Sequence, residues 1–434
     1  MTSRVVQLLL LVVTDACAIA IGRAMSPLQE TIQKALSFSD NQIALLQGPA
    51  LALPNILLAI PLGFLIDRHS RVRLCFILTV VGAVGTLMTA LVSSFALLFV
   101  ARALAGLAMT AITIAIFSLV ADLYEPAQRG RAKAAIVMGQ NAATAGVFAL
   151  GGKLLVFYPA PDNWRHAIFW LTIPALILVS LLMLGLREPP RSDVVMEKPT
   201  TREAFGEFWR YRGFVLPLTA GIVLAELSVY AVLTWASPSF SRRFALAPDR
   251  VGNIMAITML VSGLAGPLLG GVLADICQRR GGPRKTLIAL SSLVLLGAPA
   301  GLFAIVPDLT AASVLFALYN TVIAASVGMG ITLFTIVIPN EVRGLCLAFL
   351  AAVDALFAYA LGPVLVSVTS GAIGGGTGTI GIALAAVCLL ASLGCATSYA
   401  IGIRTFSRQP RASNRIGAPV ADCRLPATVR EAAE

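Results

Sequence analysis

Residues 63–73 read GFLIDRHSRVR, a short basic stretch that stands between two long apolar runs. A related stretch occurs later in the chain, where residues 271–275 read GVLAD and are followed by Arg279, Arg280, Arg284 and Lys285. The two stretches begin with Gly63 and Gly271, positions that differ by 208. Each closes a second apolar run, which indicates that the chain consists of two repeating halves.

A second pair of loops supports the repeat. Residues 126–130 read PAQRG, and Pro339 with Arg343-Gly344 occupies the corresponding place in the second half. Arg129 and Arg343 differ by 214 positions, close to the spacing of the first pair. In membrane proteins that consist of two repeated halves, the binding site lies between the halves, near the middle of the membrane.

The composition places the chain in a membrane. Of its 434 residues 58% are hydrophobic and only 12% are charged, and apolar runs of about 20 residues recur along it. Continuous apolarity with internal prolines excludes the alternating strands of a β-barrel. The sequence predicts an all-α protein of twelve membrane helices over residues 5–25, 43–66, 74–92, 95–121, 134–157, 167–186, 214–236, 251–274, 286–305, 309–338, 345–368 and 380–403.

Polar stretches divide the chain into four parts. We expect an N-terminal six-helix bundle at 1–186, a cytoplasmic linker at 187–213, a C-terminal six-helix bundle at 214–403 and a disordered cytoplasmic tail at 404–434. The linker contains Phe205, Phe208 and Trp209 at helical spacing. This pattern fits either a short helix on the membrane surface or a solvated connector.

The positions of the basic residues predict the orientation. Most of the 32 Lys and Arg residues fall in the loops and termini that share one side if the N-terminus is cytoplasmic, as the positive-inside rule requires. Both termini are therefore expected in the cytoplasm. The membrane is expected to be the inner membrane of a bacterium. Retention of these loops and contact with anionic lipids explain the net charge of +11 without nucleic acid. The seven cysteines form no CxxC pair, so neither a disulfide framework nor a metal site is expected.

The first loop resembles the signature of the major facilitator superfamily, Gly-x-Leu-x-Asp-Arg-x-x-Arg-x-Arg/Lys. That resemblance implies two six-helix bundles, alternating access and a loop that acts as a conformational latch, although a role in topology alone stays open. The residues expected at this cytoplasmic gate are Gly63, Asp67, Arg68, Arg71, Asp122, Arg129, Asp275, Arg279 and Arg343.

A narrower resemblance is to the spinster-like branch of that superfamily, whose animal members are linked to export of lysolipids and sphingoid phosphates. It rests on residues 39–48 (SDNQIALLQG), Ala101-Arg102, residues 118–122 (SLVAD), residues 187–191 (REPPR) and the set Tyr230, Ala231 and Trp235. The resemblance covers mainly the first seven predicted helices.

Two departures from the branch concern charge. Met109 stands where branch members usually carry a glutamate, and Ile114 replaces a proline. The usual Asp-Arg pair near the outer end of the first helix is present only as Gly22-Arg23. If those acids carry a proton in relatives, the function is lost or moved here.

Three carboxylates lie near the centres of predicted helices: Asp15, Glu226 and Asp354. Charge at that depth is costly and is therefore usually paired, neutralised or placed in a wet cavity. Asp15 and Glu226 differ by 211 positions, so they occupy equivalent places in the two halves. The resemblance implies that their helices line the central cavity, where they would take up and release protons. Asp354 is a third candidate, and a structural hydrogen bond is the alternative for all three.

Further polar or polarisable side chains are expected in the substrate cavity. They are Arg102, Met109, Gln140, Asn141, Tyr230, Tyr319 and Asn320. Arg102 offers an anion contact, or extends to the outer interface instead. The amides and Tyr319 either orient a substrate or serve as helix-packing contacts. Tyr230, with Trp235, either belongs to an outer-interface belt and packs at the gate or forms part of a cation cage.

The predicted function is secondary active transport of a small organic solute, amphipathic or anionic, coupled to protons. An enzyme is not expected, because the sequence contains no phosphate-binding GxxxxGK[ST] loop and only two histidines, both at predicted membrane edges. An uncoupled facilitator, or a receptor or scaffold that kept the fold and lost transport, is the alternative. The expected partners are the solute, protons and membrane lipids, and the expected state is a monomer without cofactor.

Overall fold

The computed structural model of the protein describes residues 4–158, 161–186, 188–189, 209, 211–338, 340–376 and 378–406. Within this part of the chain the regular elements are helices, and no strand is formed. Most of the predicted linker, with its surface helix, and the tail beyond residue 406 lie outside the described residues.

The helices of the first half follow each other with short connections. They are α1 (Arg4–Arg23), α2 (Gln29–Leu36), α3 (Asp40–Gln47), α4 (Pro49–Arg68), α5 (Arg71–Leu91), α6 (Phe95–Leu123), α7 (Pro126–Phe157) and α8 (Asn163–Gly185). The second half has the same order without counterparts of the short α2 and α3. Its helices are α9 (Arg212–Phe244), α10 (Pro248–Gly297), α11 (Leu309–Val337), α12 (Asn340–Val353), α13 (Leu361–Ala372) and α14 (Thr379–Phe406).

Ten helical stretches of the described residues are long and apolar enough to cross a membrane. The chain is therefore a multi-pass membrane protein, as its composition predicts. One of the ten stretches runs from Pro248 to Ile305 and contains a sharp turn at Gly281 and Gly282. Gly282 has φ of +63°, a left-handed conformation that glycine adopts without strain. The turn separates the two helices predicted at 251–274 and 286–305.

The predicted helix at 43–66 is two helices in the structure. α3 ends at Gln47 and α4 begins at Pro49, with Gly48 between them at φ of −109° and ψ of −87°. Proline lacks the N–H that a continuous helix needs and is favoured at a first helical position. A side chain at Gly48 would collide with the carbonyl oxygen of Ala360, so the break also brings the halves close together.

The predicted helix at 345–368 is interrupted as well. Between α12 and α13 the chain forms a π-helical turn over Asp354–Tyr359. Such turns insert one extra residue and often accompany functional sites. Here the turn begins at one of the three carboxylates singled out in the sequence.

The two halves contact each other along two seams. On one, α7 packs against α10, where Gly152 faces Pro248 and Gly252 faces the backbone of Phe148. On the other, α3 and α4 pack against α13 and the π-helical turn. Because glycine lets backbones approach closely, these seams are tight.

Candidate functional site

A cavity of about 540 Å³ lies between the two halves. Helices α1 and α7 of the first half and α9, α10 and α11 of the second contribute side chains to it. This central cavity is of the size that accommodates small organic ligands. Its position between repeat-related bundles is the one expected from the sequence.

Two charged side chains line the central cavity from opposite halves. Arg23 comes from the end of α1 and Glu226 from the middle of α9. Arg23 lies above the ring of Tyr359 at 5.9 Å and is close enough to Glu226 to interact electrostatically. In the described part of the chain, no hydrogen bond is formed by the Glu226 carboxylate, which leaves it available to a ligand or a proton.

Asp354 lies near Glu226, close enough for the two carboxylates to interact electrostatically. Its Oδ1 atom is buried and has no hydrogen-bond partner among the described residues. Nearby, the rings of Tyr230 and Tyr359 stack with centroids 4.3 Å apart. The structure thus places Glu226 beside Asp354 at the cavity, an arrangement that the repeat does not predict.

Asp15 does not line the cavity, contrary to the expectation that it would face the same water-filled site as Glu226. It is fully buried, and its carboxylate accepts hydrogen bonds from Thr113 Oγ1 at 2.8 Å and Gln140 Nε2 at 2.7 Å. Gln140 stands between Asp15 and the cavity and contributes to the lining itself. The difference from Glu226 arises because the neighbouring helices of the first half supply two donors.

Four of the side chains expected in the cavity do line it: Gln140, Asn141, Tyr230 and Asn320. Sequence reasoning missed Thr144 and Ser262, which also contribute hydroxyl groups. Thr144 lies in α7 and Ser262 in α10. The sequences of these helices do not indicate which face of each helix turns towards the cavity. Their roles in substrate binding remain predictions.

The other three expected cavity residues lie elsewhere. Arg102 is fully buried and reaches neither the cavity nor the outer interface, because it donates to Gly22 O at 3.0 Å and Gln47 Oε1 at 3.2 Å. Its guanidinium thus stabilises the Gly22 carbonyl group at the C-terminal end of α1. Met109 packs against Gly22, and Tyr319 bonds to Cys388 O at 3.1 Å inside the second half.

At the end of the bundle that carries most of the basic loops, here called the basic end, Arg71 is the centre of an ionic cluster. Its Nη1 atom contacts Asp122 Oδ2 at 2.5 Å and Ser118 Oγ at 3.0 Å, and its Nε donates to Glu188 Oε1 at 2.8 Å. Burial raises the pKa of Glu188, but hydrogen bonds from Val72 N–H, Arg71 and Ser70 outweigh it and hold that pKa below its usual value. Glu188 was not foreseen as part of this Arg71 cluster.

Arg129 and Arg343 make the same contact in the two halves. Arg129 Nε donates to Tyr124 O at 3.0 Å, and Arg343 Nη2 donates to Ile338 O at 3.0 Å. Each arginine thereby caps the C-terminal end of the preceding helix, α6 or α11. Both bonds span five residues, so at this loop pair the repeat includes a side-chain contact.

Arg68, Asp275 and Arg279 are exposed, and Gly63 lies within α4. The side chain of Asp67 lies outside what the structure describes.

At the opposite end of the bundle, here called the Arg242 end, an ionic network joins the two halves. Arg242 at the end of α9 contacts Glu30 at 3.0 Å, Gln33 at 2.7 Å and Asp40 at 2.9 Å, all from α2 and α3. Sequence reasoning missed this network. A signal existed, because Arg242 and Arg243 belong to the minority of basic residues that are predicted on the non-cytoplasmic side.

Known proteins share this architecture. The family model of the Major Facilitator Superfamily matches residues 9–239, more than half of the chain. An uncharacterized MFS-type transporter of Bacillus subtilis, YceJ, is 27% identical over 57% of this chain and 60% of its own length. A probable 4-methylmuconolactone transporter of Cupriavidus pinatubonensis is 24% identical over 53% of this chain and 52% of its length. The matched stretch thus spans less than two thirds of either relative.

Solved structures agree with the fold along nearly the whole chain. A bacterial homologue of the human lysosomal transporter Spinster, inward-facing and unoccupied, has a TM-score of 0.78 at 20% identity, covering 94% of this chain and 98% of that one. The nucleoside transporter NupG has a TM-score of 0.67 at 16% identity, covering 92% and 99%. At these identities the likeness concerns the fold, and it agrees with the spinster-like resemblance of the sequence. The family match establishes that the chain belongs to the Major Facilitator Superfamily.

Proposed function

We propose that this protein is a secondary transporter with twelve membrane-spanning helices, which moves a small organic solute across a bacterial inner membrane by alternating access. The observation that carries the proposal is the central cavity, which both halves line with polar side chains. The relatives named above are described as transporters, which supports the same class of function. Rocking of one half against the other would expose this cavity to each side in turn.

The contacts between the two halves indicate which side of the central cavity is closed. Arg242 ties the halves together at one end, and the glycine-rich contact of Gly152 with Pro248 lies towards the same end. If the basic end lies in the cytoplasm, as the positive-inside rule favours, these contacts close the outer side, which is the arrangement of an inward-facing state.

Proton coupling is assigned to the pair Glu226 and Asp354 rather than to Asp15 and Glu226. Two carboxylates near one guanidinium, that of Arg23, leave one negative charge uncompensated if both are ionised. A proton, or a cationic substrate, would neutralise that charge in an environment where charge is costly. Asp15 already has two donors and is separated from the cavity by Gln140.

A pH step applied to proteoliposomes on a solid-supported membrane tests this assignment without a known substrate. Loading of the site moves charge into the protein and gives a transient current. We expect Glu226→Gln to reduce the current to the background of protein-free liposomes. The matched control is Asp162→Asn, the same change at an exposed residue paired with Arg165, and it should leave the current intact.

A Glu226→Gln current equal to that of the unaltered protein would contradict the assignment. Transport that ignored an imposed pH gradient would then favour an uncoupled facilitator.

A further inference from the structure

Five uncharged polar side chains of the central cavity share a property that their residue types do not reveal. Each donates a hydrogen bond to the protein, while its side-chain oxygen accepts none of the described hydrogen bonds and so remains an acceptor for a ligand. The residues concerned are Gln140, Asn141, Thr144, Ser262 and Asn320. This shared orientation limits the chemistry of the ligand.

Gln140 is the clearest case. Its Nε2 atom donates to Asp15 Oδ2 at 2.7 Å and lies 3.4 Å from Thr113 Oγ1. An ionised carboxylate only accepts hydrogen bonds, so it determines which end of the planar amide faces it. The carbonyl oxygen of Gln140 consequently points away from Asp15, on the side of the cavity.

The two asparagines are oriented by main-chain carbonyl groups. Asn141 Nδ2 donates to Gly263 O at 3.1 Å across the seam between α7 and α10. Asn320 Nδ2 donates to Phe316 O at 3.0 Å within α11. A carbonyl oxygen accepts only from the amide nitrogen, which fixes both side-chain orientations.

The hydroxyl groups follow the same rule. Thr144 Oγ1 donates to Gln140 O at 2.9 Å, and Ser262 Oγ to Met259 O at 3.4 Å. A hydroxyl has one hydrogen and two lone pairs, so each keeps acceptor capacity after donating. Among the residues that line the cavity, Arg23 and Tyr230 retain polar hydrogens that the described hydrogen bonds do not use, and so do the amide groups of Asn141 and Asn320, each of which uses one of its two N–H groups.

The charges point to the same class of ligand. Glu226 faces the cavity and Asp354 lies close to it, whereas Arg23 is the one basic residue in the described lining. Arg102, on which the expectation of an anionic substrate rested, is enclosed away from the cavity. An anion could pair with Arg23, but it would also meet the oxygen acceptors of the amides and hydroxyls and the carboxylate of Glu226.

We propose that the central cavity binds a protonated organic amine with an apolar body. The ammonium N–H groups would bond to the carbonyl oxygens of Gln140, Asn141 and Asn320, and the charge would be balanced by Glu226. The apolar body would contact the aliphatic lining, for example Val229, Leu233 and Met259. This proposal rests on the proposed function only in taking the central cavity as the substrate site.

Asp15 acquires a role as a positioning residue. It contacts the cavity only through Gln140, whose acceptor it turns towards the ligand. Replacement by asparagine offers Gln140 a donor and allows its amide to reverse. The cavity would then present an N–H group where the amine needs an acceptor.

The test uses a matched series of probes on the full-length protein in detergent, with affinities measured by isothermal titration calorimetry at pH 7. The probes are β-phenethylamine, its N,N,N-trimethyl derivative, 3-phenylpropionate and sorbitol. We expect phenethylamine to bind at least about tenfold more tightly than the trimethyl derivative, which keeps the charge but lacks N–H donors. Phenylpropionate should bind weakest.

Variants locate the binding. Glu226→Gln and Asn320→Leu should each weaken phenethylamine binding by about tenfold, because the first removes the balancing negative charge and the second removes an acceptor. Asp162→Asn should leave it unchanged. Asp15→Asn should reduce the ratio of the affinity for phenethylamine to the affinity for phenylpropionate. If Asp15 had a purely structural role, both affinities would change by the same factor. Asn320 bonds only within its own helix, so Asn320→Leu remains informative if Asp15→Asn fails to fold.

Tighter binding of phenylpropionate than of phenethylamine would overturn the proposal. Binding of sorbitol without phenethylamine would also overturn it, in favour of a neutral polyol. Amine binding that is intact in a protein without pH-step currents would instead reject the proton-coupled function while leaving the ligand class in place.

Discussion

The two ends of the bundle use arginine in different ways. At the basic end Arg71 pairs with Asp122 and Glu188, which belong to the first half and to the chain directly after it. At the Arg242 end the arginine pairs with Glu30 and Asp40 across the two halves. A pair within one half stabilises that half in every state, whereas a pair across the halves must break when they separate. The comparison predicts that substitutions at the basic end change stability and that substitutions at the Arg242 end change conformation.

The largest effect is expected from Arg71→Ala. The change leaves Asp122 and Glu188 without their cation, and breaking a largely buried ion pair costs about 3 kcal/mol. Thermal unfolding in detergent should show a clear loss. Arg279 is the equivalent position of the second half, and Arg279→Ala should change stability by less than about 0.5 kcal/mol, because Arg279 is exposed. Equal losses for both variants would refute the distinction.

The next effect concerns Gly152→Ala, which inserts a methyl group against the backbone of Pro248 where α7 meets α10. Overpacking of this kind costs about 2 kcal/mol and would disfavour the state closed at the Arg242 end. Spin labels at Lys34 and Arg250 should report a longer distance by pulsed electron paramagnetic resonance. Gly146→Ala is the control in the same helix, because an added methyl group there meets no neighbour.

A smaller shift in the same direction is expected from Arg242→Gln. Loss of a partly exposed network is worth about 1 kcal/mol, enough to change the ratio of the two states several-fold. The same spin labels measure it. Arg243→Gln serves as control, since Arg243 bonds to Ile305 O and Val306 O within its own half. An equal distance change in the control would remove Arg242 from the closure.

The smallest effect is a pH dependence at the basic end. Because the pKa of Glu188 is held below its usual value in the folded protein, its contribution to stability is present at neutral pH. That contribution decreases as the pH falls through the folded-state pKa, below the ordinary glutamate range. Solvent screening limits it to a fraction of a kcal/mol. When thermal unfolding is measured between pH 7 and pH 3, the Glu188→Gln variant should lack this pH-dependent contribution to stability, and the Asp162→Asn variant should retain it.

The sequence predicts best those features in which the backbones of the two halves repeat each other. The arginines of the second loop pair, Arg129 and Arg343, make the same contact with the end of the preceding helix. Arg71 and Arg279 are equally matched in position, but only Arg71 meets an acid on the next helix. Position 336, which corresponds to Asp122, is Ile336. Side-chain partners therefore diverge even where the backbone repeats.

The carboxylates show the same limit. Asp15 and Glu226 are equivalent in the repeat, yet Asp15 is enclosed by Thr113 and Gln140 while Glu226 lines the cavity. Helices of a membrane bundle are apolar on every face. Hydropathy therefore predicts how deep a residue lies in the membrane, but not which face of its helix turns towards the cavity. The donor directions of Gln140 and Asn141 depend on partners far away in sequence and could not be read in advance.

The sequence by itself determined that this chain crosses a membrane repeatedly and that it consists of two related halves, and it predicted that the basic loops share one side. These properties follow from the transfer of long apolar segments out of water and from local charge, which are additive along the chain. Only the tertiary structure decided which carboxylate reaches the cavity, which arginine joins the halves and which atoms of the amides face a ligand. Those outcomes depend on contacts between distant segments, because a polar group in an apolar environment takes whichever partner the packing brings near.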